Sequence, residues 1–224
     1  CYQVNAASQA ADTAPDGRAE CALAGFDTVF CSFNTNTKLE PGAFALWMEI
    51  LAAVPNSALW LLGESKLGER NLRAEAHRRG IDPLRLVFAP FVERAKHLAR
   101  LANADLFLDS FVYNAHTTAS DALWAGVPVL TLPGDSFASR VGASLVTAAG
   151  LPELVARSPA DYKAIAIALA GDPARRGVMR ARLAARNVPG GLYDTRGFVA
   201  RLEALLEAIW ARHRAGEEPA MIGT

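Results

Sequence analysis

The chain has 224 residues, 51% of them hydrophobic and 21% charged, the balance of a folded protein with a real core rather than a disordered one. Lysine plus arginine equals aspartate plus glutamate at 23 each, so no global field draws the chain to nucleic acid or anionic lipid. No apolar run approaches the roughly 20 residues of a membrane helix, so neither nucleic acid nor a membrane is an expected partner.

Residues 1–25 are rich in alanine and small polar types without a sustained period, and read as a connecting segment over the surface. They contain Cys1 and Cys21, and Cys31 follows; the odd count without metal-like spacing fits a reduced, cytoplasmic protein with no metal site. The opening CYQVN has neither an initiator methionine nor a leader pattern, and is read as the start of a piece of something longer.

From Phe26 onward a rhythm appears. TVFCSF (28–33) predicts a strand, and Pro41 opens a helical stretch, PGAFALWMEILAAV. SALWLLG (57–63) is the next strand, then the charged helix LGERNLRAEAHRRG (67–80) with Gly80 as its stop. LRLVFAPF (84–91) is a third strand before a helix over 93–103, and ADLFLDS (104–110) a fourth before the helix in YNAHTTASDALWAG. VPVLTLP (127–133) is the fifth strand, with a helix over 136–149. Past residue 150 helices dominate: one over 158–172, and a last one whose Phe198, Leu202, Leu205, Leu206 and Ile209 form an apolar stripe expected to pack on the core.

Short strands alternating with helices of 10–15 residues predict an α/β fold, with a parallel Rossmann-like sheet covered by helices on both faces. The continuous apolar character of several strands agrees. A globular unit over 26–224, helical in its C-terminal part, is the expected domain. Open parallel sheets bind ligands beyond the carboxyl ends of their strands, so the post-strand segments carry the chemistry.

The first such segment, FNTNTKLEP, holds Lys38, either a point charge for a phosphate or an ordinary solvated lysine. The third places Arg94, His97 and Arg100 at spacings of three on one helix, able to converge on an anion or simply to line a solvated face. The fourth holds His116, Thr117 and Thr118 at a helix start, where a cap and an anion site are both open readings. Asp121, one turn in, either accepts from a ribose hydroxyl pair or sits favourably near the helix N-terminus. His77 and His213 read as surface residues. There is no Walker A loop, no GxGxxG after the first strand, no HExxH and no CxxC.

The stretches FNTNTKLEPGAFALWMEILAAVPNSALWLL and RLVFAPFVERAKHLARLANADLFLDSFVYNAHTTASDALWAGVPVLTLPGDSFASRVGASLV carry the ordered motifs FNxxxK and NxHTTxxDxLWxGxPxxTxPG. Together with CYQVN and the terminal HRAGEEPAMI, they resemble the C-terminal catalytic half of the O-GlcNAc transferase and SPINDLY family of protein O-glycosyltransferases. The resemblance implies the donor-binding C-terminal lobe of a two-lobed, GT-B type enzyme that works without a metal or other cofactor. Such enzymes move a sugar from UDP-GlcNAc to Ser or Thr of proteins, and SPINDLY-type members use GDP-fucose. Helical TPR repeats and an acceptor-side lobe would lie upstream, so this piece alone would be inactive.

Residue by residue, the resemblance makes Lys38 the catalytic lysine at the diphosphate leaving group. It puts Thr35, Arg94, His97 and Arg100 at the donor, the backbone of Val92 at the base, His116, Thr117 and Thr118 at the diphosphate, and Asp121 at the ribose. The UDP-GlcNAc enzymes commonly carry glutamine where this chain has Thr35 and lysine where it has Arg94. A non-catalytic module binding a nucleotide or a partner protein, and a transferase acting on a small acceptor, are the rival readings.

Overall fold

The computed structural model describes residues 5–6, 16–185 and 189–222. Cys1 and most of the CYQVN motif lie outside the described residues.

Five strands form one parallel sheet: β1 (Thr28–Ser32), β2 (Ser57–Leu62), β3 (Leu86–Ala89), β4 (Leu106–Leu108) and β5 (Val129–Leu130), in the order β3-β2-β1-β4-β5. Every residue of β1 and β4 is buried, because helices cover both faces and leave no position for a solvated side chain. After β1 the chain builds outward to β2 and β3, then crosses back to lay β4 on the other side of β1. The carboxyl ends of β1 and β4 therefore flank the point where the winding direction reverses, and a crevice opens there in sheets of this kind.

The helix after β1, α1 (Pro41–Ala53), starts where Pro41 takes the first helical position and the Glu40 side chain accepts from the backbone N–H of Gly42 and Ala43. It buries Phe44, Trp47, Met48, Ile50 and Leu51, each contributing about 1.5–3 kcal/mol relative to an exposed side chain. On the far side of the sheet order, α2 (Lys66–Arg78) follows β2 and α3 (Arg94–Leu101) follows β3. Next come α4 (Thr117–Trp124) after β4 and α5 (Val141–Ala148) after β5. Gly126, at φ +80, ends α4 in the left-handed conformation that turns the chain into β5.

Several expected elements prove shorter, for local reasons. The strand over 104–110 contracts to Leu106–Leu108 because aspartates bracket it. The Asp105 carboxylate accepts from the backbone N–H of Val29 at 2.8 Å and pairs with Arg18 at 2.7 Å. The strand over 84–91 loses its start to a 3-10 turn, Pro83–Arg85, capped by Asp82. The strand over 127–133 ends at Leu130, and Thr131 instead bridges to Val155. The helix over 136–149 begins only at Val141, since Ser136 and Ser139 bond each other in a turn ahead of it.

Among the described residues, three α-helices follow: α6 (Pro159–Ala170), α7 (Pro173–Ala184) and α8 (Thr195–Arg214). The arginine-rich α7 was not singled out by the sequence pattern. The stripe on α8 needs correction, because no residue of that helix is buried. Leu206 is 55% exposed and Trp210 is 61% exposed, with Leu202 and Ile209 also open to solvent. A helical period reports that one side is apolar, not what covers it. In the opening segment, Leu23 is fully buried in the core and Arg18 reaches Asp105.

Candidate active site

Two loops meet at the β1/β4 reversal. The loop after β1 coils into a 3-10 turn, Asn36–Lys38, closed by Lys38 N–H donating to the Thr35 carbonyl. The turn sends the Lys38 side chain across to the loop after β4. There its ammonium donates to the Asn114 carbonyl at 3.0 Å and sits 3.8 Å over the centre of the Tyr113 ring. Partial burial pushes the Lys38 pKa down from its ordinary value, and the Asp109 carboxylate opposes that shift.

The loop after β4 is heavily tied. Ser110 Oγ donates to the Tyr113 carbonyl at 2.6 Å, Asn114 Nδ2 to the Ser110 carbonyl at 2.6 Å, and Gly142 N–H to Asn114 Oδ1 at 3.2 Å. It ends at His116, the residue preceding α4, which makes no capping bond with its side chain. The partial positive charge of the α4 N-terminus is therefore not neutralised by a cap. The His116 ring lies 5.0 Å from that of Tyr113, and burial holds its pKa below the ordinary value, so the imidazole is neutral at physiological pH. Thr118 Oγ1 donates to Asn34 Oδ1 at 2.8 Å, joining the two loops.

Together Phe33, Asn34, Thr35, Lys38, Tyr113, His116, Thr117 and Thr118 line a cleft of about 290 Å³. Of the residues expected from sequence, this brings together Thr35, Lys38, His116, Thr117 and Thr118. One ammonium, two threonine hydroxyls and an uncapped helix start make a cradle for an anion.

The remaining expected residues form a neighbouring cluster along α3 and α4. Arg94 Nη2 meets Asp121 Oδ1 at 2.5 Å. Arg100 is only 3% exposed; its guanidinium donates to the Pro90 carbonyl at 2.8 Å and lies over the rings of Phe33 and Trp60. His97 packs its ring 4.8 Å from Phe33 and accepts at Nδ1 from Arg100. Burial first, then Arg100 and Arg94, pushes the His97 pKa down to about 4. The charged ends of Arg94 and Arg100 thus diverge, where the spacing of three allowed convergence on one anion. Phe33 joins the two clusters, lining the cleft and touching His97. Val92, half-buried, lies in the segment between β3 and α3.

Sequence reasoning did not assign Tyr113, Asn114 or Asp109 to the site. An acid closing a buried strand at the carboxyl edge, as Asp109 does, is the signal that was available. Among the described residues, no group of three His, Cys, Asp or Glu side chains is arranged to hold a metal ion.

The description glycosyl transferase family 41 matches residues 7–202, the greater part of the chain. The chain belongs to glycosyl transferase family 41. It is 38% identical over 199 residues to the UDP-N-acetylglucosamine–peptide N-acetylglucosaminyltransferase of Caenorhabditis elegans, covering 89% of this chain and 17% of that protein. With the probable enzyme of the same description, SEC, from Arabidopsis thaliana it shares 36% over 192 residues, covering 85% of this chain and 20% of that one. Among solved structures, a mutant of Thermobaculum terrenum O-GlcNAc transferase superposes with a TM-score of 0.78 at 33% identity, over 83% of this chain and 36% of that chain. This family 41 chain thus matches part of the GT-B glycosyltransferase fold of that neighbour, and it spans about a fifth of the length of the C. elegans and Arabidopsis relatives.

Proposed function

We propose that this family 41 chain is the donor-binding C-terminal lobe of a protein O-linked N-acetylglucosamine transferase, holding UDP-GlcNAc for transfer to Ser or Thr of protein acceptors in the cytoplasm. The observation that carries the reading is the meeting of Lys38 with the uncapped start of α4 in one cleft, across the β1/β4 reversal. Lys38, His116, Thr117 and Thr118 hold the diphosphate there; Thr35 stands at the rim. Asp121 takes the ribose once Arg94 shares or yields its carboxylate, the Val92 backbone meets the base, and His97 with Arg100 forms the wall behind it.

Breaking the glycosidic bond builds negative charge on the diphosphate. Fixed donors already aimed at that charge lower the barrier without reorganisation, and losing one typically costs about 3–4 kcal/mol of transition-state stabilisation. Lys38 is the catalytic residue in this sense, since it meets the leaving group. One lobe cannot position an acceptor hydroxyl against the sugar, so transfer requires the parts of the relatives that this chain does not span.

Calorimetric titration of the chain with UDP and with GDP tests the reading. UDP binding lost in Lys38→Met supports it; binding of GDP alone moves the donor to the GDP-fucose class; binding of neither by the folded chain removes the donor site.

A further inference from the structure

Beneath the cleft lies a carboxylate that the donor reading does not use. Asp109 ends β4 with its side chain fully buried, accepting from the Ala115 backbone N–H at 2.6 Å and from Thr131 Oγ1 at 2.7 Å. Gly142 of α5 packs against it, where a Cβ would collide with the Asp109 and Thr131 oxygens. The Ser110 backbone N–H also acts on it. Lys38 faces it from the loop after β1; Tyr162 of α6 donates its hydroxyl to the Asp109 backbone carbonyl at 3.1 Å; His116 follows one residue after Ala115. β5 meets it with Thr131 and α5 with Gly142, neither of them ionisable.

An ionised carboxylate in that position is expensive to keep, since burial disfavours the charged form. Asn in its place could keep the Ala115 and Thr131 hydrogen bonds, with the Thr131 hydroxyl reversed, without the cost of a buried charge. The carboxylate does two things that Asn would not do together. It clamps the loop at Ala115, next to the Asn114 carbonyl that receives Lys38, and it places a negative charge behind the Lys38 ammonium.

We propose that Asp109 is a positioning residue of the donor site: its buried carboxylate holds the Asn114–Ala115 peptide whose carbonyl receives Lys38, and is the counter-charge behind that ammonium, keeping it aimed across the β1/β4 crevice. This role rests on the donor-site reading for its purpose, but not for its physics. An opposite charge nearby raises the proton affinity of an ammonium. Burial works in the other direction on Lys38, and Asp109 is the group that opposes it.

The test separates the two. Isotope-labelled reductive methylation of the chain gives an NMR signal for each lysine, and Lys38 is assigned by its loss in Lys38→Met, apart from Lys66, Lys96 and Lys163. In Asp109→Asn the proton affinity of Lys38 falls about tenfold, the low end of what a close opposite charge does. The wild-type Lys38 signal also carries a second inflection near neutral pH, where Asp109 itself titrates. That inflection vanishes in Asp109→Asn and persists in His116→Gln. An unmoved Lys38 midpoint in Asp109→Asn overturns the proposal. So does a wild-type Lys38 signal without the second inflection, which needs no variant to fold.

UDP calorimetry then reads the consequence. In Asp109→Asn the alkaline limb of UDP binding, where Lys38 loses its proton, moves about one pH unit lower, and in Lys38→Met there is no such limb to move. An unmoved limb in Asp109→Asn means a purely structural carboxylate and overturns the proposal. If the wild type binds neither UDP nor GDP, the donor reading fails while the lysine titration still decides the counter-charge.

Discussion

Arg94, in the first turn of α3, reaches Asp121 in α4 and holds its carboxylate with Nη2 2.5 Å from Oδ1. The carboxylate is buried while the guanidinium is 55% exposed, so the pair is asymmetric: a ligand can compete for the acid without having to extract a buried cation. A ribose diol arriving at Asp121 would meet a carboxylate already oriented, with its second oxygen outside the ion pair.

The two clusters should therefore be separable by ligand. Asp121→Asn is expected to weaken UDP and uridine alike, each by roughly tenfold, the scale of one charged hydrogen bond. Lys38→Met is expected to weaken UDP strongly and to leave uridine unchanged, since uridine brings no phosphate. Competition binding with the two ligands on both variants measures this. A uridine loss in Lys38→Met would mean that the lysine serves the nucleoside instead.

Asp109 gives a stability signature of definite sign. Burial pushes its carboxyl from an ordinary 3.8 up to about 7, against the pull of its hydrogen bonds and of Lys38. A folded pKa above the unfolded one means that the native state holds the extra proton between those values. Its contribution is complete below pH 3.8 and is lost as pH rises through about 7. Asp109→Asn should therefore raise the melting temperature at mildly alkaline pH and change it little in acid. The gain is on the order of a few kcal/mol at most. Thermal melts of both proteins across pH check the crossover. A variant stabilised at no pH would mean that the buried charge carries no cost.

His97 runs the other way. Its folded pKa, depressed from 6.5 to about 4 by burial and by Arg100 and Arg94, keeps the ring neutral in the fold. Its contribution is present above pH 6.5 and is lost as pH falls through about 4. The ring's NMR shifts should stay flat from neutral pH down to mild acid, and unfolding should set in as it protonates. An ordinary titration midpoint would show that the ring opens to water.

The apolar side of α8 should be dispensable for the stability of this chain. Leu206→Ser and Trp210→Ser remove side chains that are more than half exposed, so each is expected to change unfolding free energy by no more than about 0.5 kcal/mol. By contrast, Leu123→Ala in α4, fully buried, should cost about 2–5 kcal/mol. Denaturant titrations compare them. A large loss at Leu206 would return the stripe to the core.

That contrast marks how far the sequence could be read. The strands were legible because a run such as TVFCS, buried at every position, has no polar alternation to imitate a surface strand. Lys38 and the His116–Thr118 trio were legible because they follow strands that flank the reversal, where polar side chains have little structural work. The stripe on α8 was misplaced because periodicity is a property of one helix, whereas burial belongs to its neighbours. Asp109 escaped for a related reason. Nothing local distinguishes an acid that caps a strand from one that faces a lysine 71 positions away in the chain, until the crossover from β3 to β4 brings them together. The ends of β3 and β4 and the start of α5 slipped because Asp82, Asp105 and the Ser136–Ser139 turn act through hydrogen bonds that hydropathy does not register.

The central claim is that a nucleoside diphosphate sits between Lys38 and the start of α4. Amide correlation spectra of the chain recorded while UDP is added test it most directly. The largest shifts are expected at the backbone amides of His116, Thr117 and Thr118 and at Lys38, with little change in the 410 Å³ groove between α1 and α2, lined by Asn71 and Arg79. Shifts centred on that groove, with the α4 amides unmoved, would contradict it.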